Sequence, residues 1–168
     1  MKKLILSLMI FSLTFLMYSQ IPEQQLPEVV ITAVNYKYLN AVDNADTDIN
    51  VKMLQEKVAM YDLKSSELYE DDYDTYYVSF YIPEGKILAA YDKNGKVIRT
   101  VEKFKNIKLP MSVRNAITQR FPNWTLEKDV YLVTYHTDNA STKKQYKVKI
   151  QNQDKVVRVK IDEGGNFL

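Results

Sequence analysis

The chain has 168 residues, no cysteine, and 23 basic against 21 acidic side chains, a formal net charge of +2. Without cysteine it forms no disulfide and carries neither a lipidated amino-terminal cysteine nor a histidine and cysteine metal site, so stability must come from a packed core. Lys2 and Lys3 account for the whole excess of positive charge. The rest of the chain is formally neutral, which argues against a nucleic-acid binder or a binder of anionic membranes.

Residues 1–19 are predicted to be a cleaved secretory signal peptide. Lys2 and Lys3 precede an apolar run from Leu4 to Met17, which is shorter than the roughly 20 residues of a membrane span. Ser19 supplies a small residue at the expected cleavage point, and a polar stretch begins at Gln20. We expect a periplasmic or secreted protein with no membrane span after cleavage. An uncleaved anchor is the less favoured alternative, because no stop-transfer pattern follows.

Residues 20–50 are predicted to form an amino-terminal strand and a linker. Val29 to Val34 is rich in β-branched residues and favours an edge strand, whereas the polar, acidic stretch Asp43 to Asn50 favours a linker. Pro27 to Ala33 also looks like a stretch found near the mature start of many TonB-dependent outer-membrane receptors. We favour an ordinary first strand, because any short β-branched run has this appearance.

Two helices are predicted, and each precedes three strands. An apolar stripe starting at Val51 indicates a helix that ends near Asp62, and a second stripe lies between Pro110 and Pro122. Alternating apolar residues predict strands at 75–82, 86–91, 96–104, 130–136, 144–150 and 155–161. The Asn94-Gly95 pair predicts a type I′ hairpin turn, in which both central residues take positive φ.

A repeat connects the two halves of the chain. With a shift of 70 residues, Tyr76–Ile98 matches Tyr146–Leu168, so that Tyr76 falls on Tyr146 and Phe80 on Ile150. The matched positions share one parity within each strand, which is the pattern of a buried face. The sequence therefore predicts an α+β fold of two tandem units, 51–108 and 109–168, each a helix covering its own antiparallel meander.

The second unit carries a family resemblance. Ala116-Ile117, the stretch Arg120 to Trp124, Tyr146-Lys147-Val148 and the stretch Val157 to Gly165 are its motifs. With the signal peptide and the repeated order, they resemble the PepSY-like exported proteins of Bacteroidetes that are described as similar to β-lactamase inhibitor protein. The resemblance implies a non-enzymatic binding or inhibitory module of the cell envelope, and it transfers no catalytic residue.

The residues do not support an enzyme, a metal site or a cofactor. His136 is the single histidine and lies at a predicted strand end near Asp138, with no Gly-x-Ser-x-Gly motif for a nucleophile. A nucleotidyltransferase would need a doubly wound sheet and a His-x-Gly-His type of motif. The acidic stretch Glu67 to Asp74 lacks the spacing of an EF-hand, so a solvated loop is favoured over a Ca²⁺ site.

The predicted binding residues occupy the strand faces opposite the core. They are Tyr77 and Tyr81, beside Ser79 and Ala90, in the first unit, and Lys147, Lys149, Arg158 and Lys160 in the second. Tyrosines beside cations are typical of protein-recognition surfaces. Alternatively, residues 28–40 cover the tyrosines. We expect a binding module for a protein or peptide partner in the envelope; the alternative is a structural or accessory protein that serves a receptor complex.

The charge distribution adds a second expectation about partners. Positions 20–95 hold 6 basic and 14 acidic residues, whereas positions 96–168 hold 15 basic and 7 acidic. Opposite charges in the two halves predict two lobes that attract each other, or a head-to-tail partner.

Overall fold

The computed structural model describes residues 35–138 and 141–168, and within them it has an α+β fold, as predicted. The signal peptide predicted at 1–19 and the strand predicted at 29–34 lie outside the described residues. The helices are α1 Tyr36–Val42, α2 Ile49–Ala59 and α3 Met111–Arg120. The strands are β1 Thr75–Ile82, β2 Gly85–Asp92, β3 Val97–Lys105, β4 Thr125–His136, β5 Ser141–Asn152 and β6 Lys155–Asp162.

Helices α2 and α3 were predicted from the sequence, and α1 was not. Asp48 caps α2 by accepting a hydrogen bond from the Asn50 amide (2.9 Å), so the helix begins before Val51. It ends three residues before Asp62. The seven-residue α1 is too short to be stable alone, and the burial of Tyr38 and Val42 holds it in place.

The six strands form one antiparallel sheet in the order β1-β2-β3-β4-β5-β6. Strand β3 pairs with β4 from Arg99 opposite His136 to Lys105 opposite Val130. The two three-stranded sets are therefore a single sheet, and the prediction that each helix covers a sheet of its own is wrong. The physical reason is that an unpaired strand edge leaves backbone N–H and C=O groups without partners, and β3 satisfies them by pairing with β2 on one edge and β4 on the other.

The repeat has a different meaning from the one predicted. A shift of 70 residues brings β1 onto β5 and β2 onto β6, whereas two equivalent units would bring β1 onto β4. Tyr76 and Tyr146 therefore do not occupy equivalent strands of two units. The match instead identifies two similar hairpins, because the pair Tyr76 and Tyr91 in the first corresponds to Tyr146 and Ile161 in the second.

The turn after each of these hairpins also repeats, but it is not the type I′ turn predicted at Asn94-Gly95. Only Gly95 in the first turn has a positive φ (79°), and Gly165 has the same role in the second (90°). The Asp92 carboxylate accepts hydrogen bonds from the amides of Asn94 and Lys96, both 2.9 Å. This side chain stabilises a longer loop in which a single glycine takes the left-handed conformation.

The helices lie on one face of the sheet, where their apolar side chains join alternate strand residues in a single core. On β1 the residues Tyr76, Val78 and Phe80 are buried, and the residues between them are exposed. The Tyr91 hydroxyl donates to the Val58 carbonyl at the end of α2 (2.7 Å). The opposite face of the sheet carries none of the described helices, and we call it the open face.

A buried carboxylate connects α1 and α2 to β3. Glu102 lies on the core face and accepts hydrogen bonds from the Tyr38 hydroxyl (2.9 Å), the Gln55 amide (2.8 Å) and the Thr100 hydroxyl (2.8 Å). Burial raises the pKa of Glu102, although these three donors act in the opposite direction. Since α1 is held on the core face, its residues do not cover Tyr77 and Tyr81, which lie on the open face.

Candidate functional site

The open face brings all the predicted binding residues onto one surface. Tyr77 and Tyr81 lie on β1 at one edge of the sheet, and the predicted cations lie on β5 and β6 at the other. Four strand spacings of about 4.8 Å separate β1 from β5, a distance of roughly 19 Å. A ligand that touches both groups must therefore be large.

The first group is an aromatic and aliphatic cluster that we call the aromatic patch: Tyr77, Tyr81, Leu88 and Val101. Their exposed fractions are 69%, 66%, 41% and 44%. Leu88 on β2 is directly opposite Ser79 on β1, which lies between the two tyrosines. On its other side, Leu88 is directly opposite Val101 on β3. These apolar side chains are therefore adjacent on the open face.

Sequence reasoning identified the two tyrosines of this patch but missed its aliphatic members. The exposure of Leu88 was predictable, because it lies between the buried residues Ile87 and Ala89 and so points to the opposite face of the strand. Ala90 was predicted to be exposed and is only 4% exposed. It is a small residue whose register partners are Tyr77 and Arg99, both much larger.

The second group is the cationic patch: Lys128, Lys147, Lys149, Arg158 and Lys160. Lys149 is paired with Lys128 on one side and with Arg158 on the other, and Lys147 is paired with Lys160. Lys149 also forms an ion pair with Glu127 (3.3 Å), which lies at a bulge of β4. Lys128 was not among the residues predicted from the sequence, because the predicted strand began at Val130.

A depression of about 400 Å³ lies within the cationic patch, lined by Lys128, Asp129, Val130, Lys147, Val148, Lys149 and Arg158. Asp129 is buried and points to the core side, where it accepts a hydrogen bond from the Ile107 amide (3.2 Å). Its pKa is raised mainly by burial. The depression is therefore surrounded by positive side chains over a partly apolar floor.

More cations lie on the open face beside the two patches, on β2, β3 and β5. They are Lys86, Arg99, Lys103, Lys105 and Lys143. The surplus of basic residues in the second half of the chain thus collects on one surface of the sheet. The five carboxylates of the loop Glu67 to Asp74 are exposed, and this loop precedes β1 at the far edge.

The arrangement shows no assembled catalytic or metal-binding group within the described residues. His136 is the last residue of β4 and is half-buried, and Asp138 is exposed in the turn that follows. No set of three or more His, Asp or Glu side chains in this part of the chain is positioned to hold a metal ion. None of the described helices is long and apolar enough to cross a membrane.

Comparison with known proteins leaves the family unassigned. No family model matches the chain, and no curated protein matches it. A solved structure that it resembles is that of a BLIP-like protein from Bacteroides fragilis, with 20% identity and a TM-score of 0.32 over 59% of this chain and 68% of that one. At these values the likeness establishes neither a shared fold nor a shared function. The PepSY-like resemblance stays a prediction.

Proposed function

We propose that the chain is a binding module without chemistry of its own, which holds a protein partner on its open face. The observation that supports this function is the aromatic patch, in which Tyr77, Tyr81, Leu88 and Val101 lie together and exposed beside cationic side chains. Protein interfaces commonly combine an aromatic and apolar centre with a polar rim. Tyrosine also contributes a large contact area for a small loss of conformational entropy.

The dimensions of the open face suit a protein partner. Five strand spacings give a width of about 24 Å, and an eight-residue strand is about 27 Å long. The resulting area of roughly 650 Å² is close to the ~800 Å² that each partner contributes to a typical stable interface. A small metabolite would touch one patch alone.

The cellular setting is part of the same proposal. The order of charged, apolar and small residues in positions 1–19 supports export to the periplasm or the medium, with the mature chain beginning at Gln20. The order of one helix and three strands, which occurs twice, supports a PepSY-like and inhibitor-like module. The intact mass of the protein recovered from its native compartment tests the cleavage, and retention of residues 1–19 would contradict it.

The binding function is tested by capture of envelope proteins with wild-type protein and with the double variant Tyr77→Ala/Tyr81→Ala, quantified by mass spectrometry. Removing an interface hot spot costs about 2 kcal/mol or more, so each substitution should weaken capture of the true partner by roughly 30-fold. The matched control is Tyr36→Ala, because Tyr36 is similarly exposed but lies on α1. The proposal is supported only if the double variant captures less of a given envelope protein while Tyr36→Ala captures as much as wild type.

A second variant distinguishes residues that slow dissociation from residues that speed association. Lys147→Glu/Lys160→Glu should mainly slow association and reduce its salt dependence, because rim charges act more on encounter than on dissociation. If the tyrosine variants instead lower the melting temperature and leave binding by the folded fraction unchanged, the rings are structural and the open face is not the binding site.

A further inference from the structure

The cationic patch places like charges directly opposite each other on neighbouring strands. Lys147 faces Lys160, and Lys149 stands between Lys128 and Arg158. Like charges at directly opposed positions destabilise a sheet. Among the described residues Glu127 is the one carboxylate that pairs with this set, and it pairs with Lys149. The folded protein therefore maintains an unfavourable arrangement of charge.

The hairpin of β1 and β2 can be compared with the hairpin of β5 and β6, which carries the opposed cations. In the matching hairpin of β1 and β2, the pair Tyr77 and Ala90 stands where β5 and β6 have Lys147 and Lys160. Likewise, Ser79 and Leu88 stand where the second hairpin has Lys149 and Arg158. The two hairpins share their register, their turn and the face on which their apolar residues lie, yet the first is neutral at these positions. The fold therefore does not require the cations.

We infer that the cationic patch is a site for an extended acidic segment of the protein partner, one with carboxylates at alternate positions. This inference rests on the proposed function and specifies the chemistry of the partner. Along a strand, side chains on one face repeat every two residues, or about 6.8 Å. Lys147 and Lys149 have this spacing, and so do Arg158 and Lys160. An extended segment with Glu or Asp at every second residue presents its carboxylates at the same interval.

Three observations favour an acidic protein segment over a long polyanion. Val130 forms part of the floor of the depression, and Val156 is exposed on the neighbouring part of β6, so side-chain carbon atoms of a peptide have apolar contacts there. The aromatic patch on the same face suits a protein rather than a polymer of phosphates. A short acidic segment also stays clear of the exposed carboxylates of the loop Glu67 to Asp74, at the opposite edge.

The test uses the purified protein and two synthetic peptides of equal length and composition. In one, Glu and Thr alternate; in the other, pairs of Glu are separated by pairs of Thr, so an extended chain presents half as many carboxylates on one face. Calorimetry at low salt should show the alternating peptide binding about tenfold more tightly. Equal affinity for the two peptides, or no binding of either, would overturn the inference. Binding of polyphosphate as tight as that of the alternating peptide would overturn it in favour of a general polyanion site.

Variants of the cationic patch test whether the opposed charges bind the peptide. Lys147→Gln/Lys160→Gln should weaken the alternating peptide about tenfold and, without ligand, raise the melting temperature by about 1 to 3 °C, because it removes a repulsive pair. The control Lys64→Gln/Lys93→Gln removes two exposed lysines in turns away from the patch and should change neither quantity. Unchanged peptide affinity in the first variant would show that the patch is not the site.

The two proposals fail separately. If the peptide result is negative while partner capture still depends on Tyr77 and Tyr81, only the acidic-segment inference is wrong. If the peptide binds as expected while capture is independent of the tyrosines, the open face binds anions but the proposed function is wrong.

Discussion

The strongest prediction about stability concerns the buried carboxylate of Glu102. In Glu102→Leu, the donors of Tyr38, Gln55 and Thr100 lose their acceptor within the core. An unsatisfied buried donor costs about 1–3 kcal/mol, so three of them should remove at least ~3 kcal/mol. This loss is large against a total stability of about 5–15 kcal/mol for a domain. Removing a buried charge recovers part of it, because an ionised carboxylate is costly to desolvate.

The pH dependence distinguishes these two effects. Burial raises the pKa of Glu102 in the folded protein above its unfolded value of about 4.3. Its contribution to stability is therefore fully present below the unfolded pKa and is lost as pH rises through the folded pKa. The Leu variant lacks this titration. The difference in unfolding free energy between wild type and Glu102→Leu should thus be largest near pH 4 and smaller near pH 8.

Glu102→Gln is the matched variant, because it keeps an acceptor of the same shape and does not titrate. It should be as stable as wild type or more so at pH 8, with the Gln55 amide turning to present its oxygen. Asp129 is also buried with a raised pKa and titrates in both proteins, so the informative quantity is the difference between them. Urea unfolding from pH 4 to pH 8 measures it. A wild type whose stability varies with pH no more than that of the Gln variant would refute the reasoning, and so would a Leu variant as stable as wild type near pH 4.

Two further pairs of substitutions test the faces and the packing of the sheet. Phe80→Asp puts an unpaired charge in the core and should lower the unfolding free energy by several kcal/mol. Tyr81→Asp, one residue further and exposed, should lower it by about 1 kcal/mol or less, because Asp is less favourable than Tyr in a strand. Equal effects in thermal unfolding would contradict the assignment of these residues to opposite faces of the sheet. Gly85→Ala would bring a new Cβ into steric clash with the Lys103 carbonyl oxygen and should cost about 1–3 kcal/mol. Gly164→Ala meets only the Asn166 side chain at 3.3 Å and the Asp162 carboxylate at 3.4 Å, and a larger loss of stability there than at Gly85 would refute the packing argument.

Most of the helices and strands, and the faces of the strands, were predictable from local sequence patterns. Strand β1 was predicted with its observed bounds, and α3 lies between Pro110 and Pro122 as expected. Both signals are local, since the period of two places alternate residues on opposite faces and proline ends a helix. The same alternation is enough to assign Tyr77 and Lys147 to surfaces opposite the core.

The way in which these elements combine was not predictable, because it depends on contacts between distant parts of the chain. The pairing of β3 with β4, which makes one sheet and brings the aromatic and cationic patches onto a common face, joins distant residues such as Arg99 and His136. Helix α1 has no helical pattern of apolar residues, and it is stabilised by the hydrogen bond of the Tyr38 hydroxyl to Glu102 in the core. Leu88 and Val101 form a patch with the tyrosines only through strand register. Contacts of this kind depend on which strands become neighbours, and the energy that selects the neighbours is shared over the whole core rather than encoded in any one segment.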